Sequence, residues 1–457
     1  MKAMSIVLFV LLFVTLSQAQ QRWERNYGGA GNDEGYSVQQ TSDGGYIVAG
    51  RTWSFGNGSQ VYLIKTNASG DTLWTRNYGG VDYDEGRSVQ QTTDGGYIVA
   101  GYTYSQVYLI KTNASGDTLW TRNYGEAGYY DEGRSVQQTT DGGYVVAGRT
   151  TSFGNYYQVY LIKTNAFGDT LWTRTYGGVD YEEGSSVQQT TDGGYIVAGY
   201  SYSPGNGSQI YLVKTNASGD TLWTRNFGGT ILDWGHSVQQ TQDGGYVVAG
   251  YTYTLGNAGQ AYLVKTNATG DTLWTRNYGG TDWDQGRSVQ QTQDGGYIVA
   301  GYTTSFGDSN QVYLLKTNAS GDTLWTRNYG GAGDDYGWSV QQTTDGGYIV
   351  AGWTGSFGNG VQVYLIKTDE NGSSGVEEAR NAERGMRSAE LRITPNPYVS
   401  FARVPGHEAE RFSLYDVSGR QVGIFRGDRV GEGLSPGVYF VKHEQGSLKP
   451  LRIVKLK

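Results

Sequence analysis

Residues 88–125 read Ser-Val-Gln-Gln-Thr (88–92), Asp-Gly-Gly-Tyr-Ile-Val-Ala-Gly (94–101), Gln-Val-Tyr-Leu-Ile-Lys-Thr-Asn (106–113), Ala-Ser-Gly-Asp (114–117) and Thr-Leu-Trp-Thr-Arg-Asn-Tyr-Gly (118–125). This stretch is one of seven similar copies, whose Ser-Val-Gln-Gln segments begin at Ser37, Ser88, Ser135, Ser186, Ser237, Ser288 and Ser339. The steps between them are 51, 47, 51, 51, 51 and 51 residues. A repeat of this length with four strand-like segments predicts an all-β, seven-bladed β-propeller.

Each copy contains four strand-like segments, which we name A to D. In the copy at 88–125 they are A (88–92), B (97–101), C (106–112) and D (118–124). Asp94-Gly95 between A and B is a strong hairpin signal, and 113–117 forms a short loop with glycine between C and D. Each blade is therefore predicted to be an antiparallel meander. Consecutive strands alternate in direction, so the D–A and B–C loops share one face and the A–B and C–D turns share the other.

The C-to-D region resembles the tryptophan-docking repeat of quinoprotein-type propellers. Gly116 lies four residues before Trp120, and the same spacing recurs at Trp74, Trp172, Trp223, Trp274 and Trp325. The resemblance implies that D is the outer strand, that A lines the central channel, and that each Trp packs between neighbouring blades. It implies no quinone, because the acidic, arginine and metal-binding residues that such a cofactor needs at single positions are not found. We predict no cofactor.

Ring closure follows from a missing segment. The seventh copy has A at Ser339, B at Tyr348 and C at Val363, but no D after Thr368, whereas an orphan D stands at 22–28. The propeller is therefore assigned to 20–368, with the N-terminal strand completing the last blade and removing exposed sheet edges. Blades ordered D-A-B-C without strand exchange are the alternative.

The copies differ mainly in the D–A and B–C loops, which are rich in aromatic, acidic, Asn, Ser and Gly residues. Aromatic platforms beside carboxylates and amides suit a sugar or peptide ligand. The predicted ligand-binding residues are Tyr83, Tyr104, Tyr181, Trp234, Trp283, Trp338 and Trp353. Alternatively, these rings pack the loops against one another and the acids keep the face soluble.

Composition and single motifs exclude several kinds of site. The chain of 457 residues has a net charge of −8 and no cysteine, so nucleic acid, disulfides and thiol chemistry are not expected. Its histidines, His236, His407 and His443, do not recur in the repeat, which argues against a catalytic triad or a histidine-built metal centre. The i, i+2 pairs Asp82/Asp84 and Asp282/Asp284 are interpreted as solvated acidic turns rather than calcium ligands. We predict no catalytic residue and no metal.

The N-terminus has the pattern of an export signal, assigned to 1–19. Lys2 precedes the apolar run 5–14, and Ser17-Gln18-Ala19 is a small-x-small cleavage site. The apolar run is too short to span a bilayer, which takes about 20 residues. We therefore expect a mature chain without a transmembrane segment.

Composition changes at Asp369, where we predict a flexible linker, 369–388, followed by a small β-sandwich, 389–457. This tail resembles the C-terminal sorting domain of the type IX secretion system, in the motifs at 393–397, 412–420, 434–441 and 451–457. The residues that carry the resemblance are Pro395, Asn396, Pro397, Asp416, Gly419, Gly437, Tyr439 and Lys455. It implies interaction with the type IX secretion machinery and a secreted or cell-surface location in a Gram-negative host of the Bacteroidetes type.

These features predict a secreted or cell-surface propeller that acts as a non-catalytic binding or adhesion module and is a monomer. The expected partner is an extracellular glycan or protein on the D–A/B–C face. Near-identical blades suit multivalent binding, whereas catalysis needs one asymmetric constellation. The alternatives are a glycan-degrading hydrolase or lyase with its site at the channel mouth, and a purely structural surface protein.

Overall fold

The computed structural model describes residues 21–80, 83–126, 128–154, 156–178, 180–205, 207–253, 258–307, 309–376, 400–402, 411–426, 428–443 and 451–455. The predicted signal peptide, 1–19, lies outside these residues. The chain divides into two compact units, one ending at Val376 and one beginning at Glu377. No helix within the described residues is long and apolar enough to cross a membrane.

The first unit contains one N-terminal strand and seven repeated groups of strands. Strand β1 spans Trp23–Tyr27. Blade 1 has β2 (Asp33–Gln40), β3 (Tyr46–Thr52), β4 (Gln60–Thr66) and β5 (Thr72–Tyr78); blade 2 has β6 (Asp84–Gln91), β7 (Tyr97–Thr103), β8 (Gln106–Thr112) and β9 (Thr118–Tyr124); blade 3 has β10 (Asp131–Gln138), β11 (Tyr144–Thr150), β12 (Gln158–Thr164) and β13 (Thr170–Tyr176). Blade 4 has β14 (Glu182–Gln189), β15 (Tyr195–Ser203), β16 (Gly207–Thr215) and β17 (Thr221–Phe227); blade 5 has β18 (Asp233–Gln240), β19 (Tyr246–Thr252), β20 (Gln260–Thr266) and β21 (Thr272–Tyr278). Blade 6 has β22 (Asp284–Gln291), β23 (Tyr297–Thr303), β24 (Gln311–Thr317) and β25 (Thr323–Tyr329); blade 7 has β26 (Asp335–Gln342), β27 (Tyr348–Thr354) and β28 (Gln362–Thr368).

Each blade is a four-stranded antiparallel sheet in sequence order, which confirms the predicted meander. Blade 7 takes its fourth strand from the N-terminus, because β1 pairs with β28 with Trp23 opposite Lys367 and Tyr27 opposite Val363. Its sheet order is β1-β28-β27-β26. The exchanged closure is therefore confirmed, and the D-A-B-C order is wrong.

Tryptophan–tyrosine contacts join neighbouring blades. The Trp120 ring of blade 2 lies 5.9 Å from the Tyr144 ring of blade 3, edge to face. In blade 7 the D strand is β1, and its Trp23 lies 5.8 Å from Tyr46 of blade 1. The apolar cluster around Tyr144 combines residues of blades 2 and 3, as expected where each sheet buries its face on the next. The predicted packing of the D-strand tryptophans between blades is confirmed.

The Ser-Val-Gln-Gln motif links adjacent A strands around the channel. Ser88 Oγ accepts a hydrogen bond from Val136 N at 3.1 Å, and Gln90 Oε1 accepts one from Gln138 N at 2.6 Å. The equivalent Val and Gln residues of all seven blades line a cavity of about 250 Å³ along the axis. This confirms that A lines the channel and explains why the motif is the same in every copy.

The A strands begin earlier than the sequence predicted. They start at an acidic residue, such as Asp284, rather than at the serine of the motif. Asp284 is buried, and its carboxylate accepts hydrogen bonds from Thr303 Oγ1, from Ser305 Oγ at 2.8 Å and from Gly280 N at 2.8 Å. The interpretation of Asp284 and its equivalent Asp84 as solvated acidic turns is therefore wrong, because each is a buried residue at the start of an A strand.

The turn after the last C strand also differs from expectation. Asp369 N donates to Ser373 O at 3.0 Å, and Tyr329 Oη donates to Gly372 O, as Tyr278 Oη donates to Gly321 O one blade earlier. Residues 369–373 thus form the C–D turn of blade 7, although a linker was predicted to begin at Asp369. The linker residues after Val376 lie outside the described part of the chain.

The described strands of the second unit form one antiparallel sheet in the order β30-β29-β31-β32. They are β29 (Arg411–Tyr415), β30 (Gln421–Arg426), β31 (Gly437–His443) and β32 (Leu451–Lys455). Phe412, Leu414, Val441 and Ile453 belong to its apolar core, and Ala402 bridges Val430. The unit is therefore a small β domain with a core of its own.

Candidate ligand site at the channel mouth

The D–A/B–C face carries many exposed aromatic side chains. They are Trp53, Phe55, Tyr104, Tyr129, Tyr130, Phe153, Tyr156, Tyr181, Tyr202, Trp283 and Phe306. On the A–B/C–D face the C–D turn of blade 3 carries an exposed aromatic ring, Phe167. A concentration of exposed rings on one face of a protein is typical of an interaction surface.

Four predicted ligand residues lie in these loops. Tyr104 is 75% exposed, and it is a non-glycine residue with a left-handed backbone, φ +48°. Such a conformation is strained for a bulky side chain and is concentrated at functional sites. Tyr181 and Trp283 are exposed to 43% and 39%, whereas Tyr83 is half-buried and packs against Trp53 at 5.8 Å.

The other three predicted ligand residues lie in strands, not in loops. Trp234 is in β18 and stacks on Tyr200, with ring centroids 4.5 Å apart and an interplanar angle of 7°. Trp353 is in β27 and stacks on Tyr336 at 4.2 Å. Trp338 is in β26 and faces the channel. These half-buried rings pack against other side chains. This agrees with the alternative given above, in which the aromatic residues serve packing rather than ligand binding.

A β-bulge directs one residue of every A strand into the channel mouth. In each blade the A–B pairing register shifts between a glycine and the serine of the motif, for example between Gly133 and Ser135. The residue between them has no partner across the ladder, which is how bulges re-aim a side chain. The seven bulge residues are Tyr36, Arg87, Arg134, Ser185, His236, Arg287 and Trp338, and they line a cavity of about 120 Å³.

Unlike the Ser-Val-Gln-Gln motif that follows them, these bulge residues vary from blade to blade, so the channel mouth is asymmetric. Nothing in the strand pattern marked them, because a bulge depends on pairing with the neighbouring strand. One signal was available: the residue before the constant Ser-Val-Gln-Gln is among the most variable in the repeat.

The blade 1–4 side of the channel mouth is an ion-pair network. Four glutamates pair with four arginines there; the contacts are Arg51 to Glu34 and Glu85, Arg87 to Glu85, Arg134 to Glu132 and Glu183, and Arg149 to the same two glutamates. Burial opposes ionisation of Glu132, but Arg134 and Arg149 outweigh it and hold its pKa below the usual value. The network keeps this carboxylate charged, whereas a glycosidase needs a protonated carboxylic acid.

The blade 5–7 side is aromatic. At the position that carries a glutamate in blades 1 to 4, blades 5, 6 and 7 have Trp234, Gln285 and Tyr336. Arg287 lies in this half, with its guanidinium carbon 4.4 Å from the ring centre of Trp338 and 5.5 Å from that of Tyr302. In the part of the chain that the structure describes, Arg287 forms no ion pair; its polar contacts are His236 Nδ1 and Tyr302 Oη, both at the long distance of 3.5 Å.

The sorting-type residues that the structure describes have structural roles. Asp416 Oδ1 accepts from Ser418 N at 2.9 Å in a turn where Gly419 has φ +83°. Gly437 and Lys455 face each other across the β31–β32 pair, and Tyr439 Oη donates to Ser435 O at 2.8 Å. Pro395, Asn396 and Pro397 lie outside the described residues. No group of three or more acidic or histidine side chains with metal-binding geometry occurs among the residues described.

Neither a protein-family model nor a curated protein matches the chain. Solved structures with a similar fold include the WD40 domain of Pan2 from Neurospora crassa, with a sequence identity of 10% and a TM-score of 0.46. The alignment covers 78% of this chain and 100% of the Pan2 domain. A protein of unknown function from Bacteroides caccae is 13% identical with a TM-score of 0.40, covering 65% and 94%. Another, from Dyadobacter fermentans, is 11% identical with a TM-score of 0.44, covering 76% and 98%.

At these identities the likeness concerns the fold alone. The class of the protein follows from its own strand pairing: it is a seven-bladed β-propeller built from tandem repeats, with a second, smaller β unit.

Proposed function

We propose that the protein is a secreted or cell-surface propeller that binds extracellular ligands, glycans or peptides, without chemical conversion, on its D–A/B–C face. The observation that carries this proposal is the concentration of exposed aromatic rings on that face around the channel mouth. Each ring offers about 0.5–1.5 kcal/mol to a stacked ligand, so one contact is weak and several together hold a polymer.

The test is a glycan and peptide binding screen followed by variants of exposed rings. Tyr181→Ala combined with Trp283→Ala removes two rings and should weaken binding of the best polymer about tenfold, since roughly 1.4 kcal/mol corresponds to a factor of ten. Phe167→Ala removes a more exposed ring, 69% against 43% and 39%, on the opposite face and should leave binding unchanged. Equal affinity of the double variant and the parent would contradict the proposed face.

The enzyme alternative receives less support from the channel mouth. The four glutamates of the ion-pair network are neutralised by arginines, and Glu132 is held ionised. Cleavage of a bound glycan by the purified propeller would contradict the proposal of binding without chemical conversion. Failure of every glycan and peptide to bind would favour a purely structural surface protein.

We also propose that the second unit is a sorting domain recognised by the type IX secretion machinery after the N-terminal signal has directed the chain to the periplasm. The order of the tail motifs and the independent core of this unit support the proposal. The likeness to quinoprotein-type propellers is proposed to concern blade architecture alone. Deleting 388–457 should abolish secretion by a type IX-competent host without preventing propeller folding; undiminished secretion would contradict it.

A further inference from the structure

Several side chains that line the small cavity at the channel mouth carry buried hydrogen-bond donors without a partner. Among the described residues, the buried unpartnered side-chain atoms of the seven bulge positions are Arg87 Nε, Arg134 Nε, His236 Nε2, Arg287 Nε and Trp338 Nε1. Arginine and indole nitrogens can only donate. Leaving a buried polar group unpartnered costs free energy, and each such group calls for an explanation.

His236, which lines this cavity, is also a donor. Its Nδ1 lies 3.5 Å from Arg287 Nη1, which can only donate, so Nδ1 must be the acceptor. Burial and the neighbouring Arg287 hold the pKa of His236 well below its usual value, so the ring is neutral. The single proton is therefore on Nε2, and all five unpartnered groups are donors.

One arginine at the channel mouth has no carboxylate partner among the described residues. Four of the five arginines around the mouth, at 51, 87, 134 and 149, pair with the glutamates at 34, 85, 132 and 183, and the fifth, Arg287, pairs with none of them. The reason is visible in the repeat: blades 2 and 3 read Glu-Gly-Arg at 85–87 and 132–134, whereas blade 6 reads Gln-Gly-Arg at 285–287. Arg87 and Arg134 pair with the glutamate two residues earlier, at 2.6 and 2.9 Å, and Gln285 gives Arg287 no carboxylate.

We propose that the channel mouth binds the carboxylate of an acidic saccharide, a uronate residue, with Arg287 as its charged anchor and His236 and Trp338 as further donors. A guanidinium can bind a carboxylate through two parallel hydrogen bonds. This inference rests on the proposed function, because the exposed rings of the surrounding face would hold the rest of the polymer.

Three observations favour a uronate over other anions. Within the described part of the chain, Arg287 is the one arginine of this group without an ion pair and can take one carboxylate, whereas a phosphate carries up to two negative charges. The cavity of about 120 Å³ has room for a carboxylate and part of the ring that carries it. The exposed rings beside this half of the mouth, such as Trp283, offer the flat apolar surface on which sugar rings stack.

The decisive probe is polygalacturonate beside its methyl ester, because the ester keeps the sugar chain and removes the charge. The parent propeller should bind the free acid at least tenfold more tightly than the ester. Arg287→Gln should abolish this preference. Gln285→Glu should abolish it too, since it recreates the Glu-Gly-Arg of blades 2 and 3 and supplies Arg287 with an internal carboxylate. Arg287→Lys, which keeps the charge, should retain part of it.

The matched control is Arg276→Gln, which makes the same change of charge on an exposed D strand and should leave the preference intact. Melting temperature separates binding from folding. Arg287→Gln removes a buried, unpaired charge and should melt no lower than the parent, whereas a purely structural arginine would make that variant less stable and leave ligand preference unchanged.

Several outcomes would overturn the inference. The first is that the parent binds polygalacturonate and its methyl ester equally well. The second is that Arg287→Gln keeps the preference for the free acid. The third is that the propeller does not bind polygalacturonate but binds a peptide with a free C-terminus and not the same peptide with an amidated C-terminus. In the first two cases, weaker polymer binding by the variant with Tyr181→Ala and Trp283→Ala would still support the D–A/B–C face as the ligand surface. The proposed function and the uronate site therefore fail on different measurements.

Discussion

Gly168 and Gly142 have the same backbone conformation in different surroundings. Their φ angles are +79° and +82°. A Cβ added at Gly168 would lie 2.8 Å from the Trp120 ring of the preceding blade, whereas a Cβ at Gly142 would meet nothing within 4 Å. The pair separates the cost of a left-handed backbone from the cost of disturbing a blade interface.

Gly142→Ala should destabilise the propeller by about 1 kcal/mol, the cost of placing alanine in a left-handed conformation. Gly168→Ala should cost about 1–3 kcal/mol more, because the Trp120 ring must move out of a packed interface. Urea unfolding of both variants measures the difference. If Gly142→Ala and Gly168→Ala lost the same stability, the contact of Trp120 with the next blade would not contribute to stability.

An acidic side chain in each A–B turn makes the fold sensitive to low pH. Burial opposes ionisation of Asp94, but hydrogen bonds from Lys111, Thr92 and Gly96 outweigh it and lower its pKa from 3.8 to about 2. The same lowering to about 2 occurs at Asp43, Asp141, Asp192 and Asp243.

Because the folded-state pKa is below the unfolded value, these carboxylates stabilise the fold above about pH 4, and the contribution is lost as the pH falls toward 2. The melting temperature should therefore drop between pH 4 and pH 2. A variant with Asp94→Asn and Lys111→Met, which replaces one pair, should lose less over that interval. A melting temperature independent of pH in this range would contradict the assignment.

At the scale of the strand, the element that holds the ring closed is β1. Removing residues 20–29 should leave β28 with an unpaired edge and lower the melting temperature, and adding the same residues as a peptide should restore part of it. The control is a chain ending at Val376, which lacks the second unit and should melt like the full propeller. An unchanged melting temperature after deletion of 20–29 would mean that β1 does not close the ring.

Much of this element-level structure could be predicted from the sequence. The repeat occurs seven times, so the ambiguity of any one strand is averaged out, and the missing D segment after Thr368 directly indicated the closure. The start of the A strands could not be predicted, because Asp284 resembles a turn residue and its carboxylate accepts hydrogen bonds from Thr303, at the end of β23, and from Ser305 in the loop that follows. Local sequence does not contain that contact.

The candidate site was predictable only in part, for the same reason. Loop variability pointed to the D–A/B–C face, and rings such as Tyr104 and Trp283 are exposed there. It placed Trp234 and Trp353 in loops, although they lie in strands and stack on Tyr200 and Tyr336. The bulge residues were missed because their direction depends on cross-strand register, a tertiary feature.

At the scale of the whole molecule, symmetry and asymmetry have separate locations. The Ser and Gln residues of the A strands, the Trp–Tyr interfaces and the A–B turns repeat around the ring and provide its stability. The loops and the bulge positions differ between blades, and they all lie at one end of the channel. A constant scaffold with a single variable face is the arrangement expected of a binding module.

Hydrogen exchange with and without the tightest-binding polymer of the screen tests that arrangement most directly. Protection on binding should be confined to the D–A and B–C loops and the first residues of the A strands, including the loops at Trp53 and Trp283. The A–B and C–D turns, such as 165–169, should exchange at unchanged rates. Protection of those turns, with the loops around the channel mouth unaffected, would contradict the account.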